Sequence, residues 1–308
     1  MRLVVDTDTG IDDALALILL ASLPNVTLEH VTTTHGNCTT EASTANARLV
    51  LDTCGRSSVP VTGGLSAPLV GELSTAWFVH GHDGLGDCGV APPPGPPAPP
   101  GSTAVEALLS LANAHAGELD LLCLGPLTNI GAALRIEPTL LDAFRSVTVM
   151  GGAGPVLPPD SPDPTLGVGD PNTYHDPEAA RLLAASGATN VTLVGLDVTM
   201  SAIAGSHHLD RMAAASTPHG RLADRISRFY VDFYEKNHGF RALALHDPIA
   251  ACVAAGVDIA ATYVEGSPVV TDDPGDERLL LAEGSGMRAL SSCDAELAAE
   301  ALTSALER

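Results

Sequence analysis

Short apolar runs rich in β-branched residues alternate along this chain with longer stretches of helical pattern. The apolar runs lie at residues 3–5, 26–34, 59–62, 119–124, 147–150 and 191–196, and helix candidates lie at 12–22, 41–54, 103–116 and 177–185. Such a rhythm is typical of βαβ units, whose strands form a parallel sheet with helices on both faces. The sequence therefore predicts an α/β fold built on an open, mostly parallel, twisted sheet.

The C-terminal part of the chain follows a different pattern. After Asp258, apolar stretches are interrupted by turn residues at 265–267 and 273–275, and an alanine-rich helical stretch follows. This pattern predicts extra strands at the edge of the sheet and then a closing helix. Two proline-rich segments, 92–100 and 155–171, are predicted to be neither helix nor central strand, and the length of the second indicates a functional loop.

Bulk composition limits the class of protein. No composition shift marks a boundary, and 308 residues that are 45% hydrophobic suffice for one large core, so a single domain over 1–308 is expected. The net charge of -22 disfavours nucleic acid and anionic membrane surfaces as partners.

The chain opens on a strand without a leader, and the apolar run 14–23 is far shorter than the ~20 residues that span a bilayer, so a cytoplasmic protein is expected. The six cysteines include no close pair, which disfavours a zinc or redox motif.

Four carboxylates follow the first predicted strand within eight residues. Asp6, Asp8, Asp12 and Asp13 stand just before an apolar helix. Helix capping and the helix dipole explain one or two of them, but four such groups repel one another at neutral pH unless a cation compensates them. Calcium takes six to eight oxygen ligands at about 2.3–2.6 Å. Asp8 and Asp13 are the first candidates for holding such an ion.

Two families compete for this opening motif. The Asp-Thr-Asp-Thr at residues 6–9 resembles the start of haloacid dehalogenase-type phosphatases, which bind magnesium and attack phosphate with the first aspartate. Those enzymes also need a lysine after a later strand. Lys236 is the only lysine of the chain and lies in a helical stretch, which counts strongly against a phosphohydrolase.

The longer string Asp-x-Asp-x-Gly-x-Asp-Asp-Ala at residues 6–14 instead resembles the signature of the inosine-uridine nucleoside hydrolase family, with Thr9 at the position of the usual proline. The resemblance continues in order through nearly the whole chain, in the motifs at 35–37, 80–86, 125–130, 150–152, 172–180, 196–199 and 246–250. It implies a Rossmann-like nucleoside hydrolase fold, hydrolysis of the bond between ribose and base in nucleoside salvage, and a homo-oligomer, either a dimer or a tetramer.

The resemblance also implies a set of catalytic and metal-binding residues. Calcium would be held by Asp8, Asp13, the backbone carbonyl of Thr128 and Asp247. Asp8 would accept a proton from the attacking water as general base. His246, one residue before a metal ligand, would protonate the leaving base, although a histidine taken alone is more often a structural hydrogen-bonding residue.

Further residues are implied to contact the substrate. Asp12, Asn37 and Asn172 would hydrogen-bond the 2′ and 3′ hydroxyls of the ribose, and Met150 would line the same pocket. His80 lies in a glycine-flanked segment that could close over the base or form a rigid turn.

The sequence departs from the family around residue 170. Asp170 takes the place of a glutamate that reaches the ribose 5′ hydroxyl and is therefore implied as the substrate contact on that side, and Pro171 replaces a frequent aromatic residue. These changes predict a weakened or altered requirement for the 5′ hydroxyl. The preferred base stays open among purine, pyrimidine and nicotinamide ribosides, because it would depend on pocket shape and on mobile segments around His82 and at 230–234. A catalytically silent nucleoside or ribose binder is the alternative from a different class.

Overall fold

The computed structural model describes residues 1–90, 103–152, 170–271 and 277–308. Its strands are β1 (Arg2–Thr7), β2 (Thr27–Thr33), β3 (Val61–Gly63), β4 (Leu119–Cys123), β5 (Ser146–Met150), β6 (Val191–Val194), β7 (Ile203–Ala204), β8 (Leu243–Ala244), β9 (Thr262–Val270) and β10 (Leu279–Ser292). Eight of them form one sheet in the order β3-β2-β1-β4-β5-β6-β10-β9, and β7 pairs with β8 alone. Every pair in the large sheet is parallel except β9 with β10.

Helices connect and cover these strands. They are α1 (Ile11–Ser22), α2 (Thr40–Thr53), α3 (Trp77–His80), α4 (Ala104–Ala114), α5 (Thr128–Ile136), α6 (Pro171–His175), α7 (Pro177–Ala185), α8 (Leu196–Thr199), α9 (Ser206–Ala214), α10 (Pro218–His238), α11 (His246–Ala255) and α12 (Ala295–Glu307). A 3-10 turn spans Leu140–Ala143. None of the helices in the described parts of the chain combines the length and apolar composition that crossing a membrane requires.

Two hydrophobic clusters lie on opposite faces of the large sheet, because successive strand residues point to opposite sides. Leu3 and Val5 of β1 join one cluster, in which α1 is buried along almost its whole length beneath α10, α11 and α12. Val4 joins the other cluster, together with residues of α4, α5 and α7. Helices therefore cover both faces, and the predicted α/β sheet architecture is confirmed.

The C-terminal expectation also agrees with the structure. The antiparallel pair β9 and β10 lies at the sheet edge, with β10 parallel to β6, and α12 follows. One expectation was wrong at a single residue: Pro171 begins α6 rather than ending an irregular segment. Proline is tolerated at the first helical position, where its missing N–H has no intrahelical partner to lose. The rest of the two proline-rich segments lies outside the described residues, apart from position 170.

The strand order places the ligand crevice. β1 pairs with β2 on one side and with β4 on the other, so the direction of chain progression reverses beside β1. Crevices that bind ligands in open α/β sheets lie at such a point, beyond the carboxyl ends of the strands.

Candidate active site

The polar residues singled out in the sequence meet at the carboxyl ends of the central strands. Asp8 follows β1, Asn37 follows β2, Thr128 begins α5 after β4, and Met150 ends β5. Asp247 reaches the same place from the first turn of α11. The topology thus brings residues that are far apart in sequence to one edge of the sheet.

A group of buried carboxylates forms the floor of this site. Asp12, Asp13 and Asp247 each offer an oxygen atom within 4.8 Å of the others. Asp8 joins them, because its carboxylate interacts directly with that of Asp13. All four side chains are almost completely inaccessible to solvent.

Burial and mutual repulsion disfavour the ionised forms of these groups. Burial first, and then the charge of Asp13, raise the pKa of Asp8 well above its usual range and that of Asp12 to about 8. Burial followed by the charges of Asp13, Asp12 and Asp8 does the same to the pKa of Asp247. A cation among them would reverse this effect.

The donor set fits a hard cation. Among the described residues, Asp8 Oδ1 and Asp12 Oδ1 are buried without a hydrogen-bond partner. Buried carboxylate oxygens are normally hydrogen-bonded or bound to metal, since desolvating them is otherwise costly. The group offers oxygen ligands only, which suits calcium better than a soft transition metal.

Two glycines allow Asp8 to sit in this position. A Cβ atom at Gly125 would lie 2.8 Å from Asp8 Oδ1, and one at Gly36 would overlap Asp8 Oδ2. Gly36 also has a φ of +148°, which residues with a side chain rarely adopt. The backbone N–H of Asn37 donates to Asp8 Oδ2 at 2.6 Å, which fixes the carboxylate and leaves Oδ1 facing the other acidic groups.

Hydrogen bonds on both oxygens orient Asp13. The Thr7 hydroxyl donates to Oδ1, while the Gly10 N–H and the Asn37 side-chain amide donate to Oδ2 at 2.9 and 2.8 Å. Thr9 donates its N–H to Thr7 Oγ1 at 3.1 Å and has a φ of 23°. Proline has no N–H and a φ fixed near about −65°, so the residue that departs from the family pattern makes a contact that proline cannot make.

Thr128 is buried at the start of α5, and its neighbours anchor that helix end. His35 Nε2 lies 3.1 Å from Thr128 Oγ1. The Asn129 side-chain amide donates to Asp6 Oδ1 at 2.9 Å and to the Thr33 carbonyl at 3.0 Å. These bonds tie the N-terminus of α5 to β1 and β2 and so hold the Thr128 backbone in place.

A cavity of about 400 Å³ opens above the carboxylates. Seven of the residues expected from the sequence line it, namely Asp12, Asn37, His80, Met150, Asn172, His246 and Asp247. Asp8, Asp13 and Thr128 are buried and are not among the residues that line it. Asp170 does not line the cavity either.

The polar lining suits a polyhydroxylated ligand. The Asn172 side-chain amide donates to the carbonyls of Leu124 and Met150 at 2.6 and 3.0 Å, so its side-chain oxygen is the atom that could accept a hydrogen bond from a ligand. Asp12 Oδ2 is contacted by the Tyr230 hydroxyl at 3.5 Å, while Asp12 Oδ1 has no partner among the described residues. Asp12 Oδ1 and the Asn172 side-chain oxygen can therefore accept hydrogen bonds from donors such as sugar hydroxyls.

His246 is engaged at both ring nitrogens. Its Nδ1 lies 2.8 Å from Thr199 Oγ1, and its Nε2 lies 2.9 Å from the Tyr234 hydroxyl. Tyr234 and His246 both line the cavity. Nε2, the nitrogen on the side of the cavity-lining Tyr234, is thus paired with a second group that can carry a proton.

His80 is fixed as a neutral hydrogen-bond donor. Its Nδ1 accepts the Ile11 N–H at 3.1 Å, so the proton of the neutral ring is on Nε2. Burial, followed by the nearby His246 and His175, lowers the pKa of His80 to about 3. The ring stacks on Tyr230 with centroids 5.5 Å apart.

Asp170 forms a helix cap. One oxygen accepts the Thr173 N–H and the other accepts the Gly152 N–H, both at 2.8 Å. Asp170 is completely buried, and Pro171 and Tyr174 line the cavity instead. Both carboxylate oxygens are therefore already bound to the backbone.

Of the aromatic walls of the cavity, only the segment 230–234 was expected from the sequence, as one that would influence base preference. Five of the ten aromatic residues of the chain line it: Phe78, Tyr174, Tyr230, Phe233 and Tyr234. His175 also lines it; burial, followed by the nearby His35, lowers its pKa to about 4. The concentration of so few aromatics in two segments, 77–78 and 229–234, was the signal available in the sequence.

Comparisons with known proteins identify the family of this chain. The family model described as inosine-uridine preferring nucleoside hydrolase matches residues 3–296. An inosine-uridine preferring nucleoside hydrolase of Leishmania major is 36% identical over 272 residues, which cover 87% of this chain and 82% of that protein. Uridine nucleosidase 1 of Arabidopsis thaliana is 33% identical over 266 residues, covering 86% and 76%.

Solved structures are similar over almost the full length. A plant nucleoside hydrolase superposes with a TM-score of 0.90 at 29% identity, covering 99% of this chain and 98% of that one. A purine-preferring ribonucleoside hydrolase from Gardnerella vaginalis gives a TM-score of 0.87 at 27% identity, covering 100% and 99%. From its sequence, its fold and the position of its acidic site, the chain is an enzyme that belongs to the inosine-uridine preferring nucleoside hydrolase family.

Proposed function

We propose that this enzyme hydrolyses the N-glycosidic bond of ribonucleosides to ribose and free base with the help of calcium. The observation that carries the proposal is the group of buried carboxylates, with unpartnered oxygens on Asp8 and Asp12, beneath a cavity with polar and aromatic walls. The nucleoside hydrolase family is metal-dependent, and this acidic group is suited to hold the ion.

Four residues would hold the calcium: Asp8, Asp13, Asp247 and the backbone carbonyl of Thr128. When bound, calcium would neutralise the acidic group, orient the attacking water and lower the pKa of that water. Asp8 is then the natural general base, since Oδ2 is held by the Asn37 N–H and Oδ1 has no other partner among the described residues.

The sugar develops oxocarbenium character as the bond to the base breaks. Negative charge on Asp12, beside the ribose, stabilises that positive charge. The Asn172 side-chain carbonyl and Asp12 would accept hydrogen bonds from the 2′ and 3′ hydroxyls, with Asn37 beside them and Met150 lining the same pocket. His246, paired with the Tyr234 hydroxyl, would supply the proton for the departing base.

The geometry around Asp170 leads to a prediction about the 5′ hydroxyl. Because both Asp170 oxygens already accept backbone N–H groups, we expect the 5′-deoxy analogue of the best substrate to lose less than about 10²-fold in kcat/KM. The 2′-deoxy analogue is the matched control and should lose about 10⁴-fold, since it leaves buried acceptors unpaired. Steady-state kinetics on the three compounds measures both ratios, and a 5′-deoxy loss of about 10²-fold or more would contradict the expectation.

Product analysis tests the proposal itself. Chromatography of reactions with a panel of purine, pyrimidine and nicotinamide ribosides should give free base and ribose in equal amounts. Binding of calcium and of a riboside without turnover would identify a silent nucleoside binder. Release of phosphate from a phosphoester would instead indicate a phosphohydrolase, which family membership argues against.

Two broader expectations accompany the proposal. A homo-oligomer, dimer or tetramer, is expected from the family resemblance. A single domain over 1–308 is expected because both hydrophobic clusters share the one large sheet.

A further inference from the structure

Thr199 contacts the imidazole of His246 from the side opposite Tyr234. Its Oγ1 lies 2.8 Å from Nδ1, while the Tyr234 hydroxyl lies 2.9 Å from Nε2. Tyr234 lines the cavity, whereas Thr199 is completely buried and does not. A ligand in the cavity therefore meets Tyr234 and His246 but cannot touch Thr199.

The backbone around Thr199 is fixed on both sides. Thr199 is the last residue of α8, its N–H donates to the Gly195 carbonyl at 3.1 Å, and its carbonyl accepts the Ala202 N–H at 3.1 Å. Threonine is β-branched, so few side-chain rotamers are accessible. The Thr199 hydroxyl is consequently held in a fixed position beside the imidazole ring of His246.

The bond to Thr199 selects one orientation of that ring. An imidazole can turn about its bond to Cβ, and a half turn would exchange its nitrogen and carbon edges. The contact with Thr199 favours the orientation that keeps Nε2 towards Tyr234 and the cavity. Without it, one of the contacts that oppose this half turn would be lost, while the Tyr234 hydroxyl would still contact Nε2.

We infer that Thr199 is a positioning residue for protonation of the leaving base, acting through His246. The inference rests on the proposed function. In that reaction the oxygen of water bonds to C1′, the C1′–N bond breaks, and its electron pair stays on the base nitrogen, which takes up a proton. Thr199 affects only this uptake of a proton by the base nitrogen.

Two substrates distinguish a loss of His246 positioning from general damage to the active site. In p-nitrophenyl β-D-ribofuranoside the C1′–O bond breaks, and p-nitrophenolate leaves with the electron pair without needing a proton. For Thr199→Val, which keeps the shape and removes the hydroxyl, we expect kcat on the best ribonucleoside to fall about 10- to 100-fold, with KM little changed. On the p-nitrophenyl riboside, kcat should stay within about threefold of wild type.

Thr199→Ser is the matched control, because it restores the hydroxyl, and it should recover most of the activity on the ribonucleoside. Thr199→Ala replaces the valine variant if that protein does not fold, as judged by thermal unfolding with calcium. Equal losses on both substrates, or no loss on either, would overturn the inference. If wild type hydrolyses neither compound, the proposed function fails and the inference falls with it; wild-type activity on both keeps the two questions separate.

Discussion

Replacing Asp8 with alanine is expected to lower kcat/KM for the best ribonucleoside by at least about 10³-fold. A positioned general base alone contributes about 10²- to 10⁴-fold, and this variant would also lose a metal ligand. Asp8 is buried, is cradled by Gly36 and Gly125, and has one oxygen without a partner among the described residues.

Two companion variants make the result interpretable. Asp8→Asn keeps the shape and one oxygen but removes the charge, and it should lose activity to a similar extent. Asp210→Ala, at an exposed position on α9, changes the same residue type away from the site and should stay within about twofold of wild type. Steady-state kinetics with saturating calcium measures all three; more than a tenth of wild-type activity in Asp8→Ala would rule out Asp8 as the base.

Metal-free protein is expected to lose stability between pH 7 and 8, and calcium is expected to abolish that loss. The folded-state pKa values of Asp8, Asp12 and Asp247 are raised, that of Asp12 to about 8. A carboxyl with a raised pKa stabilises the fold fully below its unfolded pKa, and this contribution disappears as pH rises through the folded pKa. The expected slope is on the order of 1 kcal/mol per pH unit for each carboxyl that is still protonated in the folded state.

Other buried titratable groups contribute little to the change in stability between pH 7 and 8. Burial lowers the pKa of His80 to about 3 and that of His175 to about 4, so both are neutral in the folded protein, and above pH 7 they are mostly neutral when it is unfolded. Burial raises the pKa of Cys54 and Cys252 to about 12, so thiols affect stability mainly above pH 8. Between pH 7 and 8 the buried carboxylates therefore dominate the pH dependence of stability.

Thermal unfolding in chelator and in calcium measures this difference directly. The unfolding temperature of metal-free protein should fall by a few degrees from pH 7 to 8, since about 1 kcal/mol shifts it by about 2–4 °C in proteins somewhat smaller than this one. With calcium it should be higher and nearly constant over the same range, because ion binding favours the ionised carboxylates. Asp12→Asn is the matched variant and should make the metal-free curve shallower, because it removes one of the three carboxyls. A metal-free unfolding temperature that is constant or rises would contradict the expectation.

The sheet could be predicted from sequence because its central strands are buried on both faces. Such strands appear as short β-branched runs, and the expected runs at 119–124 and 147–150 agree with β4 and β5 to within a residue. The two-residue strands β7 and β8 are too short to produce a period and were not predicted. The parallel pairing of β10 with β6 also has no local signal, because it depends on which edge of the sheet is free.

The meeting of the candidate residues at one edge of the sheet was predictable where each follows a strand end, whereas the direction of a side chain was not. Asp170 was expected to reach the substrate, yet in the structure it caps α6. Aspartate directly before a proline is a pattern typical of a helix N-cap, so the signal was present in Asp170-Pro171. Phe78 and Tyr174 lie on short helices, α3 and α6, whose faces no periodic pattern could assign.

Release of ribose is the most direct readout of calcium-dependent nucleoside hydrolysis. Wild-type protein would be stripped with a chelator and then titrated with calcium, while a reducing-sugar assay follows its turnover of the best ribonucleoside. We expect almost no release from the stripped protein and full recovery as calcium saturates the site formed by Asp8, Asp13, Thr128 and Asp247. Undiminished release from metal-free protein, or no release from any ribonucleoside with calcium bound, would contradict the proposed function.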